Sequence, residues 1–405
     1  MMRLLPTMAG NGLAAALSGM ALLTGCATAA TVHTAAVSSP KPSPARCTGA
    51  APGAAVAVGA MDAVQFVSAQ QGWVAGAGRI LATSNGGRTW VQQYDGSAQL
   101  DQIDFTDAQH GWAVGTDSLL RTTDGGATWT AGSDPCGSIR SVHFVTPDVG
   151  YAVDGGSQVR VDGGLPASAV GGELLATTDG GQSWQAVAGA PAQAQTACFS
   201  SQADGFVGTP GKIWRTSDAG RHWSLAFAEP PVSTTVPPQV PDTTVLECAG
   251  NTAVWALFLG SGAALGHAPY LAYATQNAST ATPNATTMHP LFEESYIESS
   301  IRPEVHAPDG PGSYPGPFSA ISPDDAAFIG WNPAVGYGTA PLDTMTGGSS
   351  LSRQGNVTGI TQAYGVAFVS ATQGWVVGTN AQTGEYSIEA TANGGHTWTS
   401  QYQIR

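Results

Sequence analysis

Charged side chains are scarce: only 10% of the 405 residues are Asp, Glu, Lys or Arg. A coiled coil or long helical bundle, which needs charges along its exposed faces, is excluded on that ground. Basic residues are scarcest, 14 Lys and Arg against 28 Asp and Glu, a net charge of −14. Such a surface repels phosphate backbones and argues against nucleic-acid binding, while it accepts basic partners. The N-terminal apolar run, Leu13 to Leu23, is far shorter than the roughly 20 residues a membrane-spanning helix requires. What is abundant is glycine (53), proline (26) and tryptophan (11). With 42% hydrophobic residues, the chain can build a large core.

Residues 1–26 pair an early cation, Arg3, with that short apolar run, the pattern of an export signal. Leu23-Thr24-Gly25-Cys26 follows and resembles the lipobox of bacterial lipoproteins, which implies a diacylated Cys26 as lipid anchor. Residues 27–59, rich in Ala, Thr, Ser and Pro, lack the periodicity of a folded element and read as a disordered tether. Residues 60–405 carry the fold.

That part repeats itself. The motif T-x-[DN]-x-G-x-[ST]-W occurs around Asn85, Asp124, Asp179 and Asn393, and again around Asp218 with His222 in place of the hydroxyl residue. An Asp or Asn capping a turn, a glycine at positive φ and a Trp returning to the sheet describe a hairpin. A second signature precedes each box: Phe66…Gly72-Trp73, Phe105…Gly111-Trp112, Phe144…Gly150-Tyr151, Phe199…Gly205-Phe206 and Phe368…Gly374-Trp375. Degenerate copies end at Trp255 and Phe328, their boxes decayed to Thr275-Gln276-Asn277 and Thr346-Gly347-Gly348. First-strand positions are then 39, 39, 55, 50, 71 and 48 residues apart, enough for four short strands each. The expectation is an all-β, seven-bladed β-propeller of four-stranded antiparallel blades. Nine of the 11 Trp fall in the two signatures and read as inter-blade core, and Trp214 and Trp331 are assigned to the core as well.

The box resembles the Asp-box, or BNR repeat, of sialidases, sortilin-like receptors, xyloglucanases and photosystem II stability factors. Over residues 60–405 the chain is most similar to the photosystem II stability/assembly factor propellers. The likeness rests on blade length, the F-x5-G-W signature before each box, single-domain size and export. That resemblance implies a non-catalytic chaperone, although this acidic, Lys-poor chain departs from the family's basic docking patch. Sialidases imply the rival reading, a glycoside hydrolase. Their chemistry needs three converging Arg, a Tyr nucleophile assisted by Glu, and an Asp acid. The Arg-Ile-Pro motif they carry before the first box is absent; the nearest string, Ile301-Arg302-Pro303, is scrambled and misplaced.

Four cysteines remain besides Cys26, which permits three disulfide connectivities in an oxidising compartment. Cys198 and Cys248 occupy neighbouring first strands, while Cys47 and Cys136 lie in the tether and an inter-blade loop. The preferred pairing is Cys47–Cys136 with Cys198–Cys248, although equivalent columns pointing the same way oppose the second bridge. No Cys-x-x-Cys zinc spacing occurs.

In a propeller, the loops joining strands 2 and 3 share one mouth with the inter-blade connections. The insertions at 155–172, 229–241 and 286–317 all belong to that mouth, where ligands usually bind. The last holds Glu293, Glu294, Glu298 and Glu304 with His289 and His306; no fixed ligand spacing joins them, so a solvated loop is expected. Arg140, Arg160 and Arg302 are the candidate anion-binding residues of the mouth. No catalytic residue, cofactor or metal is assigned. The leading functional reading is a monomeric, non-catalytic scaffold for an envelope protein or glycan. It is held on the outer face of the bacterial cytoplasmic membrane by its lipid anchor alone.

Overall fold

The structure is a computed structural model that describes residues 61–115, 118–134, 139–155, 171–228, 243–249, 253–259, 270–275, 288–294, 314–332, 338–348, 350–380 and 382–404. Their strands gather into seven four-stranded antiparallel sheets, each built from four strands consecutive in the chain. We number these blades 1 to 7; they fall within residues 63–95, 100–131, 139–186, 196–228, 243–294, 314–356 and 362–404. The first strands are Ala63–Phe66, Leu100–Phe105, Ile139–Phe144, Thr196–Phe199, Thr243–Ala249, Tyr314–Ala320 and Gln362–Phe368. Each touches the first strand of the next blade, and that of blade 7 touches that of blade 1, so the first strands line the axis of a closed ring. Blades 1 and 7 are each built from their own strands; Phe66 of blade 1 stacks on Trp375 of blade 7 at 3.5 Å, and Gln373 and Gln401 of blade 7 donate to Ala69 O and Gly86 O of blade 1 (3.1 and 3.0 Å), so side-chain contacts close the circle.

The core lies between blades, in apolar clusters that each join two neighbours. The F-x5-G-W signature is its structural code. Phe105 lies directly across the strand pair from Gly111, and a Cβ on that glycine would run into the Phe ring. Glycine therefore lets the ring lie flat on the sheet. There it is sandwiched against Trp73 of blade 1, with centroids 3.5 Å apart and planes 7° off parallel. Trp112 on Phe144 and Tyr151 on Phe199 repeat the stack at 3.4 Å. The box Trp then meets the same Phe edge-on, as Trp129 does Phe105 at 5.9 Å. Burying such rings is worth several kcal/mol per interface.

The box itself is a self-contained hydrogen-bonded turn. Asp124 Oδ1 accepts the Thr128 N–H (2.9 Å) and the Thr122 hydroxyl (2.8 Å), and Oδ2 accepts the Thr128 hydroxyl (2.6 Å). Asn serves at Asn85 by donating Nδ2–H to Thr89 Oγ1 (2.8 Å) while its Oδ1 takes the Thr89 N–H (2.9 Å). The glycine after the cap takes positive φ, +71° at Gly125, and donates its N–H to Gln109 O in the blade's other turn. In the box of blade 4, Ala219 is forced to φ 61° at the same place. Indoles of the preceding blade complete the joint. Trp112 donates to Gly180 O at 3.0 Å, Trp375 to Gly86 O at 3.3 Å and Trp73 to Gly125 O at 3.4 Å, so the boxes of blades 1, 2 and 3 each receive the preceding blade's second-strand Trp.

Blades 5 and 6 are complete sheets despite their decayed boxes. The turn of blade 6 keeps the docking bond, Gly348 N–H to Asp324 O (2.7 Å). Two expectations need correction. Met288–Glu294, assigned to a solvated inter-blade loop, is the fourth strand of blade 5, so His289, Glu293 and Glu294 sit on a strand. Trp214 and Trp331 are half-buried near the strand ends at the mouth and do not belong to the interior. Trp214 donates its indole N–H to Thr209 Oγ1 (3.1 Å), and Trp331 packs 5.0 Å from Tyr314. Polar indole edges favour such half-wet positions.

Candidate functional site

Strand direction divides the ring into two faces. Turns between strands 1 and 2 and the boxes between strands 3 and 4 share one face; connections between strands 2 and 3 and between blades share the other, the mouth. On the box face the charged groups are spent on local structure. Asp124, Asp179 and Asp218 are held below the ordinary carboxylate range by hydrogen bonds inside their turns, although slight burial opposes this at Asp179. For Asp218 the value falls to about 2, chiefly through His222, whose Nδ1 lies 2.6 Å from Oδ2. Asp107 caps its turn through the N–H groups of Gln109 and His110 (2.7 and 2.9 Å).

Along the axis, the residue before the signature Phe reaches into the next blade. Gln65 Oε1 accepts the Phe105 N–H (2.6 Å) and Asp104 Oδ2 the Phe144 N–H (2.6 Å). His143 meets Phe199 O through Nε2 at 2.8 Å, which requires the proton on that nitrogen. Glu247 Oε2 accepts the Ala320 N–H (2.7 Å), and Ser319 Oγ the Phe368 N–H (3.0 Å). Burial raises the carboxyl of Asp104, with His143 opposing, and raises Glu247 to about 7. None of these belt residues was singled out from the sequence. Their one signal is position, immediately ahead of the signature Phe or, in blades 5 and 6, of Cys248 and Ala320, with a chemistry that changes from blade to blade.

At the mouth, the described residues form two groups. Over blades 7, 1 and 2, Tyr364 and Tyr386 stack at 6.3 Å, Tyr364 shares a hydrogen bond with Thr379 Oγ1 (3.2 Å), and Asp62 accepts from Gln99. Burial, and then the charge of Asp62, raise the Tyr386 hydroxyl above its usual value. Tyr314 and Trp331 form the second group on blade 6. Of the proposed anion-binding residues, Arg140 is buried (9% exposed) on the first strand of blade 3, near Asp154 at the end of the second. Arg160 and Arg302 lie outside the described residues, as do Cys26, Cys47, Cys136, Glu298, Glu304 and His306. Among the described residues no three metal-ligating side chains come together, and no helix is long and apolar enough to cross a membrane.

Comparison with known proteins agrees with the repeat reading. Residues 54–131 and 93–236 match the family model described as Photosynthesis system II assembly factor YCF48. A solved structure of YCF48 bound to D1 peptide is similar at 16% identity and TM-score 0.50, covering 80% of this chain and 92% of that one. A Niastella koreensis GH74 enzyme is similar at 11% identity and TM-score 0.56, covering 84% of this chain and 53% of that one. An ancestral GH74 enzyme gives 14% identity and TM-score 0.53, with 87% and 47% covered. This chain thus spans about half the length of the GH74 enzymes. No curated protein sequence matches it. The chain is a BNR-type β-propeller resembling the photosystem II assembly factor.

Proposed function

We propose that the protein is a non-catalytic binding or assembly propeller that takes a protein partner at its mouth. Cys26 tethers it to the outer face of the bacterial cytoplasmic membrane. In this reading residues 1–26 are the signal with its lipobox, 27–59 the tether and 60–405 the propeller. One observation carries it: the likeness to an assembly-factor propeller whose own solved complex holds a peptide, over 92% of that protein's chain. The chemistry of the ring supports the same view. Carboxylates of the boxes and of the axial belt already accept backbone N–H groups, an architectural use that leaves them poorly placed to exchange protons with a substrate. Half-buried Tyr and Trp at the mouth offer the rigid amphipathic area that protein interfaces favour.

A second reading, a glycan-active enzyme, has the likeness to GH74 propellers in its favour. Affinity capture from the envelope of the producing cell separates the two. Tyr364→Ser/Tyr386→Ser should lose the captured protein, and Asp124→Asn, on the box face, should retain it at temperatures where both variants are folded. Release of reducing sugar from xyloglucan, or of a fluorophore from a sialoside, by the intact protein would overturn the non-catalytic reading.

A further inference from the structure

We propose that the Cys198–Cys248 disulfide is the joint that holds blades 4 and 5 together, so that its redox state decides whether the ring stays closed at that seam. The bridge is formed, with Cα atoms 5.5 Å apart. Its place in the repeat gives it this role. Cys198 pairs across the sheet with Phe206 as Gln65 pairs with Trp73, so Cys198 stands where the other blades carry their belt side chain. Cys248 pairs with Val254 as Phe105 pairs with Gly111, so Cys248 stands where the next blade carries its signature Phe. The two columns differ by one residue, and this offset turns the sulfurs toward each other. A covalent bond thus replaces the belt hydrogen bond, and the small Cys248 replaces the stacked ring.

The rest of the seam fits this substitution. Gly111 leaves room for Phe105, whereas Val254 fills the space that Cys248 leaves. Phe206, in the column of Trp73 and Trp112, has no indole N–H to give to a neighbouring turn. Among the described residues, the seam also holds a tilted Phe227–Phe258 contact at 5.7 Å, the Thr244 N–H donated to Gln195 Oε1, the Thr196 hydroxyl donated to Thr244 O, the Thr244 hydroxyl donated to Thr209 O, and the apolar cluster around Phe206 and Phe258. The flat stack and the indole bond that join blades 1 to 2 and 2 to 3 are both missing here. Reduction by a small dithiol breaks the S–S bond with transfer of two electrons. Each Cys takes up one proton and the dithiol leaves as its own disulfide. Cys198 is 2% exposed and Cys248 is half-buried, so the dithiol meets the bridge from the Cys248 side.

Hydrogen exchange on the full chain tests the proposal. Treatment with dithiothreitol, or Cys198→Ala/Cys248→Ala, should speed exchange at least tenfold in residues 196–209 and 243–259. Exchange in residues 63–83 and 100–122 should stay unchanged. The triple variant Cys198→Gln/Cys248→Phe/Val254→Gly rebuilds the hydrogen bond, ring and glycine of blades 1 and 2. It should restore native exchange and make it insensitive to dithiothreitol. Native-like exchange in the double Ala variant would overturn the proposal, as would an equal rise in every blade. A folded triple variant whose seam still exchanges fast would show that the bridge does not stand in for the stack.

Discussion

Single residues in this ring carry charge where the fold can use it only at a cost, and that cost depends on pH. Glu247 titrates near 7 in the folded chain because burial disfavours its anion; unfolded, it titrates near 4.5. The folded state therefore holds the proton more tightly. Its contribution is full below the unfolded value and is lost as pH rises from 4.5 through 7, on the order of 3 kcal/mol. Glu247→Gln keeps an acceptor for the Ala320 N–H without the charge. Its melting temperature should stay level between pH 5 and 8, while that of the parent falls; equal slopes in a thermal melt would show that Glu247 is solvated. Box carboxylates have the opposite sign: their values are lowered, so what they add is present above the usual carboxylate range and disappears in acid. Ala219, held at φ 61° where other boxes have glycine, carries a backbone cost instead. Ala219→Gly should stabilise the chain by about 1 kcal/mol in chemical denaturation.

Elements in this fold are legible to the extent that they repeat. Boxes and F-x5-G-[WYF] signatures located strands in the five blades that carry them because the packing they encode, a flat ring over a glycine, is the same each time. Phe105→Ala should cost about 3–5 kcal/mol and Gly111→Val about 2–3 kcal/mol. Gly111→Val combined with Phe105→Ala should cost clearly less than the sum, since the Val fills the space the ring leaves. Additive losses in urea titrations would mean that the two do not share one site. Illegible were the features that differ between blades. The belt residues Gln65, Asp104, His143, Glu247 and Ser319 share a position but no side-chain type, so no pattern marks them. Met288–Glu294 was mistaken for loop because its blade has no box to set the register. The objection to the Cys198–Cys248 bridge treated two adjacent columns as one; only the strand register separates them. The mouth was legible as a location, from loop lengths, but Tyr364, Tyr386 and Asp62 belong to no motif.

At the scale of the whole molecule, the ring is a rigid frame whose repeats are consumed by their own hydrogen bonds, which leaves the variable mouth for recognition. The acidic balance, −14 overall, suits a basic partner surface. If Cys26 is acylated, Cys26→Ala should leave the ring folded and move the protein from the membrane pellet to the soluble fraction. Retention in the pellet after a salt wash would refute the anchor. In the proposed reading this propeller holds a protein through its mouth. Site-specific photo-crosslinking in the producing cell tests it most directly, with a crosslinkable residue at 364 or 386 on the mouth and at 107 or 148 on the box face. One discrete crosslinked envelope protein is expected from the mouth positions and none from the box face. Adducts only from the box face, or none from either, would contradict it.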